Sequence, residues 1–172
     1  MSNMSKKYRV GYTTGVYDMF HVGHLNLLRR AKEQCDYLIV GVSTDECVET
    51  YKHKTPVISF EDRKAIVESI KYVDEVVPQE TMDKFAAWEK IHFNVLFHGD
   101  DWKGSSMYDE IEKKLKKHGV EFVYFPYTKN VSSTLLREKL NSGSTPAEEV
   151  VRTAGETTTK RPKLLAYFRS LF

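Results

Sequence analysis

The sequence predicts an α/β protein: a doubly wound parallel sheet of five short strands with helices on both faces. Two observations carry the prediction. Strand-like and helix-like segments alternate from Tyr8 to Leu140, and strands separated by helices call for right-handed crossovers and a parallel sheet covered on both sides. Tyr37-Leu38-Ile39-Val40-Gly41-Val42 is a nearly continuous apolar run, as a strand buried on both faces requires.

The elements follow in order. Tyr8 to Thr13 is a β-rich run, and Val22 to Gln34 carries Leu25, Leu27, Leu28 and Ala31 at helical spacing. The apolar run 37–42 is the second strand. Ser59, with Asp62 three residues on, reads as the N-cap of a helix through Ile70. Val73 to Val77 is a strand, Met82 to Ile91 a helix, Val95 to Phe97 a strand and Met107 to Lys117 a helix. Gly119 is that helix's expected stop. Glu121 to Phe125 is the last strand, and Ser132 opens a helix to about Leu140. Residues 1–141 are therefore read as one domain. Residues 142–172 are read as a linker followed by a C-terminal amphipathic tail, apolar and basic together from Lys163 to Phe172. Docking on the body or a partner subunit is the favoured role for that tail over a membrane surface.

Composition sets limits. The formal charge of +2 is nearly balanced, so bulk electrostatics give no reason to expect a nucleic-acid partner. Cys35 and Cys47 are the chain's two cysteines, which suits free thiols in a reducing, cytoplasmic compartment better than a disulfide framework. The polar start, Met1 to Lys7, has no signal-peptide core. No stretch approaches the roughly 20 apolar residues of a transmembrane helix.

The chemistry concentrates after the first strand. In parallel sheets of this kind ligands bind beyond the carboxyl ends of the strands. His21-Val22-Gly23-His24 stands at the first such end, Gly99-Asp100-Asp101 and Ser132-Ser133-Thr134 at later ones. A helix start favours anions through its free N–H groups and dipole. Two imidazoles there, able to donate hydrogen bonds and carry positive charge, suit a polyphosphate, and Gly23 between them leaves room for a close backbone approach. Two histidines at this spacing also suit a metal, but no third ligand stands nearby and no metal site is expected.

The segment from Thr13 to His24 resembles the signature of the nucleotidyltransferase superfamily, whose fold is Rossmann-like. Ser43-Thr44-Asp45-Glu46, Phe60-Glu61-Asp62-Arg63-Lys64, Tyr72-Val73-Asp74-Glu75-Val76 and His98-Gly99-Asp100-Asp101-Trp102 extend the likeness to the cytidylyltransferase family, the glycerol-3-phosphate enzymes above all. It covers Tyr8 to Leu140. The resemblance implies that a substrate phosphate attacks the α-phosphorus of CTP and that pyrophosphate leaves. It gives His21, His24, Lys52 and Lys54 catalytic contacts with the phosphates. It assigns nucleotide contacts to Thr14, Gly15, Val16, Asp18, Gly23, Asp100, Asp101, Ser132, Ser133, Thr134 and Arg137. It also implies Mg²⁺ with the nucleotide, a small phosphorylated alcohol as acceptor, and a homodimer. Arg63 reads equally well as a phosphate or interface contact and as a helix-surface charge.

The departures bear on the substrate. Tyr127 stands where these cytidylyltransferases carry a triphosphate-binding arginine, with Lys129 nearby as a compensating charge. Lys71 likewise replaces an arginine of the glycerol-3-phosphate enzymes. Val131-Ser132-Ser133-Thr134-Leu135-Leu136-Arg137 resembles a motif of adenylyltransferases in the same superfamily. ATP-dependent transfer is therefore the alternative, and a non-catalytic nucleotide-sensing protein a third reading.

Overall fold

A computed structural model of the chain describes residues 6–100, 104 and 106–142. The elements run β1 (Tyr8–Gly15), α1 (Val22–Gln34), β2 (Cys35–Ser43), α2 (Asp45–Lys52), α3 (Phe60–Glu68), β3 (Glu75–Gln79), α4 (Lys84–Ile91), β4 (Val95–Gly99), α5 (Ser106–Lys116), β5 (Glu121–Phe125) and α6 (Ser133–Asn141). The five strands form one parallel sheet in the order β3-β2-β1-β4-β5. The expected Rossmann-like architecture is present. The order reverses between β1 and β4, which makes their carboxyl ends the switch point where such sheets open a crevice.

The chain divides into two compact units, Met1–Leu136 and Arg137–Phe172. The second is described only over residues 137–142, and the linker and amphipathic tail expected beyond them lie outside the described residues.

Each face of the sheet has its own core. Leu28 and Ala31 of α1 and Val67 of α3 pack with Leu38, Val40, Val42, Val95 and Phe97. On the other face, Phe85, Trp88 and Ile91 of α4 and Ile111 and Leu115 of α5 pack with Tyr12, Ile39 and Leu96. Residues of β1, β2 and β4 thus feed both cores, as the unbroken apolar text of β2 predicts. α1 and α3 cover one side and α4 and α5 the other.

Two elements differ from the sequence expectation for identifiable reasons. α2 is a helix in a stretch to which the sequence reading assigns no element. Thr44 caps it, its hydroxyl accepting from Cys47 N at 3.2 Å, and Asp45 and Glu46 complement its first turn. β3 starts two residues later than Val73. The Asp74 carboxylate accepts from Leu38 N at 2.6 Å while its own N–H donates to Leu38 O at 3.0 Å. That exchange makes Asp74 the hinge before the ladder begins at Glu75. Ser59 caps α3 as expected, accepting from Asp62 N.

Arg63 is wholly buried, which neither sequence reading of it foresaw. Its guanidinium donates to Ile58 O at 2.9 Å, to Ser43 O at 2.8 Å and to Val16 O, and pairs with Asp45 Oδ1 at 2.6 Å. It therefore ties the chain leaving β1, the end of β2 and the start of α2 into one floor.

Candidate active site

Above that floor, at the carboxyl edge, lies a cleft of about 380 Å³. It is lined by Thr14, Gly15, Val16, Asp18, His21, Gly23, His24, Lys52 and Ser132 through Thr134, so the structure brings most of the predicted site residues together. Three do not join this lining. Lys54 is exposed on the segment after α2, while Asp100 is exposed at the end of β4 and accepts from Tyr127 N at 3.1 Å. Arg137 belongs to the second unit. Asp101 and Trp102 lie outside the described residues.

The histidines build the start of α1 themselves. His21 is the N-cap, with extended backbone (φ −141°, ψ 173°), and its Nδ1 accepts from Gly23 N at 3.1 Å. His24 Nδ1 reaches back to accept from His21 N at 3.4 Å. This is the reciprocal pattern of a capping box, with imidazole nitrogens in the accepting roles. A ring nitrogen that accepts carries no hydrogen, so in each neutral ring the proton sits on Nε2. The two rings stack with centroids 3.9 Å apart. A Cβ on Gly23 would stand 2.8 Å from His21 Cε1 and 2.9 Å from its Nδ1. The close approach that this glycine permits is therefore that of the His21 ring.

Burial keeps the pair neutral in the free protein. It holds His21 below the usual imidazole range and, with His21 alongside, pushes His24 down to about 3. The sequence suggests groups able to carry charge; the structure presents two neutral rings fixed in their Nε2–H form. Tyr17 and Met19 adopt positive φ (56° and 51°) just before them, backbone strain of the kind stored at functional sites. Asp18, between the two, holds the turn. Its carboxylate accepts from Val57 N and Ile58 N, both at 3.0 Å, and its carbonyl accepts from Ser133 Oγ at 2.7 Å. Asp18 therefore joins the histidine turn to the segment following α2 and to the start of α6. Ser132 Oγ caps α6, accepting from Leu135 N at 3.1 Å.

Tyr127 stands half exposed, its phenol donating to Val131 O at 3.2 Å. Lys129 is exposed and outside the cleft lining; the guanidinium that lines the cleft beside Tyr127 is Arg30, donating to Pro126 O at 3.3 Å. Sequence reading missed Arg30, Gln79, Lys84, His98 and Tyr108, all of them lining residues. His98 carried the one usable signal, because it ends a strand at the ligand-binding edge. Burial, followed by the nearby Lys84, pushes His98 down to about 3.

These partly buried neutral imidazoles set a pH dependence. His24 and His98 have folded values far below the ordinary 6.5, so below pH 6.5 the unfolded chain binds more protons than the folded one. Stability contributed by each ring is complete above 6.5 and lost as the pH falls toward about 3. In the middle of that window each contributes a slope of about 1.4 kcal/mol per pH unit. Urea denaturation at pH 5.5 and 4.5 is expected to show this loss, and His98→Gln is expected to flatten it.

The family model of cytidylyltransferase-like proteins matches residues 12–139. The glycerol-3-phosphate cytidylyltransferase of Staphylococcus aureus is 40% identical over 129 residues, covering 74% of this chain and 92% of its own. The FAD synthase of Thermococcus kodakarensis is 36% identical over 131 residues, covering 74% and 85%. Among solved structures, the lipopolysaccharide core biosynthesis protein of Thermoplasma volcanium superposes with a TM-score of 0.60 at 24% identity, covering 72% of this chain and 99% of its own, a likeness of fold. With the match spanning the sheet and nearly every cleft residue, the chain belongs to the cytidylyltransferase-like family and is an enzyme of nucleotidyltransferase type.

Proposed function

We propose that this enzyme transfers CMP from CTP to the phosphate of a small phosphorylated alcohol, glycerol 3-phosphate first among them, and releases pyrophosphate. The observation that carries the reading is the stacked His21–His24 pair, neutral and fixed as Nε2–H donors in a cleft shared with the start of α6. Nucleotidyl transfer asks little covalent chemistry of the protein; it asks for positioned donors where charge grows on phosphate oxygens. The imidazoles, the Ser132–Thr134 helix start and Lys52 supply such donors. The name of the S. aureus relative supports CTP and glycerol 3-phosphate as the pair.

Mg²⁺ belongs to the substrate in this reading. Among the described residues no cluster of three or more His, Cys, Asp or Glu side chains stands ready to cage an ion. The ion is therefore proposed to arrive as MgCTP, retaining much of its water. A homodimer in the cytoplasm completes the proposal. Cys35 and Cys47, both buried as free thiols, suit a reducing compartment, and light scattering on the full chain tests the dimer. ATP is the second reading, favoured by Ser132-Ser133-Thr134 and by the FAD synthase relative. Pyrophosphate release, measured with CTP and ATP against a panel of phosphorylated alcohols, separates the two. Release from ATP but not from CTP overturns the first reading, and nucleotide binding without release for every acceptor points to a sensor.

A further inference from the structure

The side of α1 that opens onto the cleft does not end at the histidines. His24, Leu27 and Arg30 follow at three-residue spacing, and all three line the cleft. Residues so spaced share one side of a helix. Across from them stand Pro126, Tyr127 and Thr128, in the loop that leaves β5. Two bonds join α1 to that loop: Asn26 Nδ2 donates to Thr128 Oγ1 at 3.4 Å, and Arg30 Nη1 donates to Pro126 O at 3.3 Å.

Arg30 gives this slot its charge. A guanidinium carries five N–H donors, accepts nothing and stays charged at every working pH. Here it is half-buried and donates to a neutral carbonyl, and among the described residues no carboxylate pairs with it. Asp18, the carboxylate of the described cleft lining, accepts from Val57 N and Ile58 N. Tyr127 adds no charge, its phenol being turned to Val131 O. An arginine set in a cleft wall without a counter-ion selects an anion, and its planar fork suits the paired oxygens of a phosphate.

Position along α1 decides which phosphate. At 1.5 Å per residue, Arg30 stands about 9 Å beyond His24 along the axis, and long helical side chains lean back toward the N-terminus. The imidazoles and the guanidinium are thus separate holds on one wall. They suit two parts of a phosphate chain rather than a single phosphate. The imidazoles and the start of α6 serve the phosphates nearest the reaction, and the far end of the chain is left for Arg30.

We propose that Arg30 binds the γ-phosphate of the nucleoside triphosphate and, after transfer, the same group in pyrophosphate. This rests on the transferase reading above. An acceptor phosphate oxygen bonds to the α-phosphorus; the bond from that phosphorus to the α–β bridging oxygen breaks, and its electron pair leaves with pyrophosphate. Arg30 holds the far end of that leaving group and neither gains nor loses a proton. It distinguishes a triphosphate from shorter nucleotides and retains the product.

The test compares the full-length wild type with Arg30→Met and Arg30→Gln. Glutamine keeps a donor for Pro126 O and removes the charge, so it separates tying the loop from binding the anion. Titration calorimetry with CTP, CMP and pyrophosphate, without acceptor, reads the subsite. Both variants are expected to bind CTP and pyrophosphate at least about 10-fold more weakly, the scale of a lost charged hydrogen bond. Their affinity for CMP should be unchanged. In turnover, KM for CTP should rise, KM for the acceptor should hold, and inhibition by pyrophosphate should weaken. Wild-type affinity for CTP in Arg30→Gln overturns the inference and leaves Arg30 a loop tie. A parallel loss of CTP and CMP affinity also overturns it, by placing Arg30 at the base or in the scaffold, as does a wild type that binds CTP no tighter than CMP. Absence of pyrophosphate release from every nucleotide–acceptor pair counts against the transferase reading alone, since the calorimetry needs no chemistry.

Discussion

Replacing His24 by alanine is expected to lower kcat at least 100-fold, the scale of losing a preorganised donor to developing charge. The variant should still fold, because His21 continues to cap α1 through Gly23 N. His21 performs two tasks, and they can be separated. Asparagine is a favoured N-cap, so His21→Asn should retain the cap and melt within a few degrees of wild type. It lacks an Nε2–H at the ring's position, however, and turnover should fall as far as in His24→Ala. Pyrophosphate-release kinetics together with thermal midpoints check both. Full activity in either variant removes the histidines from the chemistry, and a loss of activity that tracks a loss of stability reduces His21 to a cap.

The largest effect on stability is expected at Arg63. Arg63→Met strips the donor from three carbonyls, Val16 O, Ser43 O and Ile58 O, and leaves Asp45 without its cation. Each carbonyl left without its donor costs about 1–3 kcal/mol, and the combined loss corresponds to a midpoint lower by roughly 10 °C. Arg63→Lys should recover little, because one ammonium cannot replace a planar fork that reaches four oxygens in different directions. Thermal denaturation followed by circular dichroism checks this, and a midpoint for Arg63→Met within about 2 °C of wild type sinks the assignment of Arg63 as the floor's tie.

What could be read in the sequence divides along physical lines. Strand identity and the two-faced sheet were legible because β2 is apolar at consecutive positions and α1 repeats leucines at helical spacing, and both signals sum over many residues. The end of a strand also places His21 and Ser132 at the ligand edge without any tertiary knowledge. Residues whose roles depend on where a long side chain travels were not legible. Arg63 and Lys84 look like ordinary surface cations on short helices, and only their burial shows otherwise. α2 was hidden because Thr44-Asp45-Glu46 is a start signal without a long apolar stripe behind it. Asp18 lies within the recognised motif, yet its carboxylate bonds Val57 and Ile58, some forty residues along the chain, through geometry that no local pattern encodes.

The reciprocal bonds of His21 and His24 have a consequence for how activity is gained and lost. Each ring's tautomer is set by a backbone N–H of the first turn of α1, so fraying that turn frees both Nδ1 atoms together. The two donors are then disarmed as a unit, before the sheet or either core is disturbed. Inactivation by mild denaturant should accordingly precede global unfolding and appear all-or-none: a diminishing fraction of fully competent molecules, with the surviving sites unchanged in affinity.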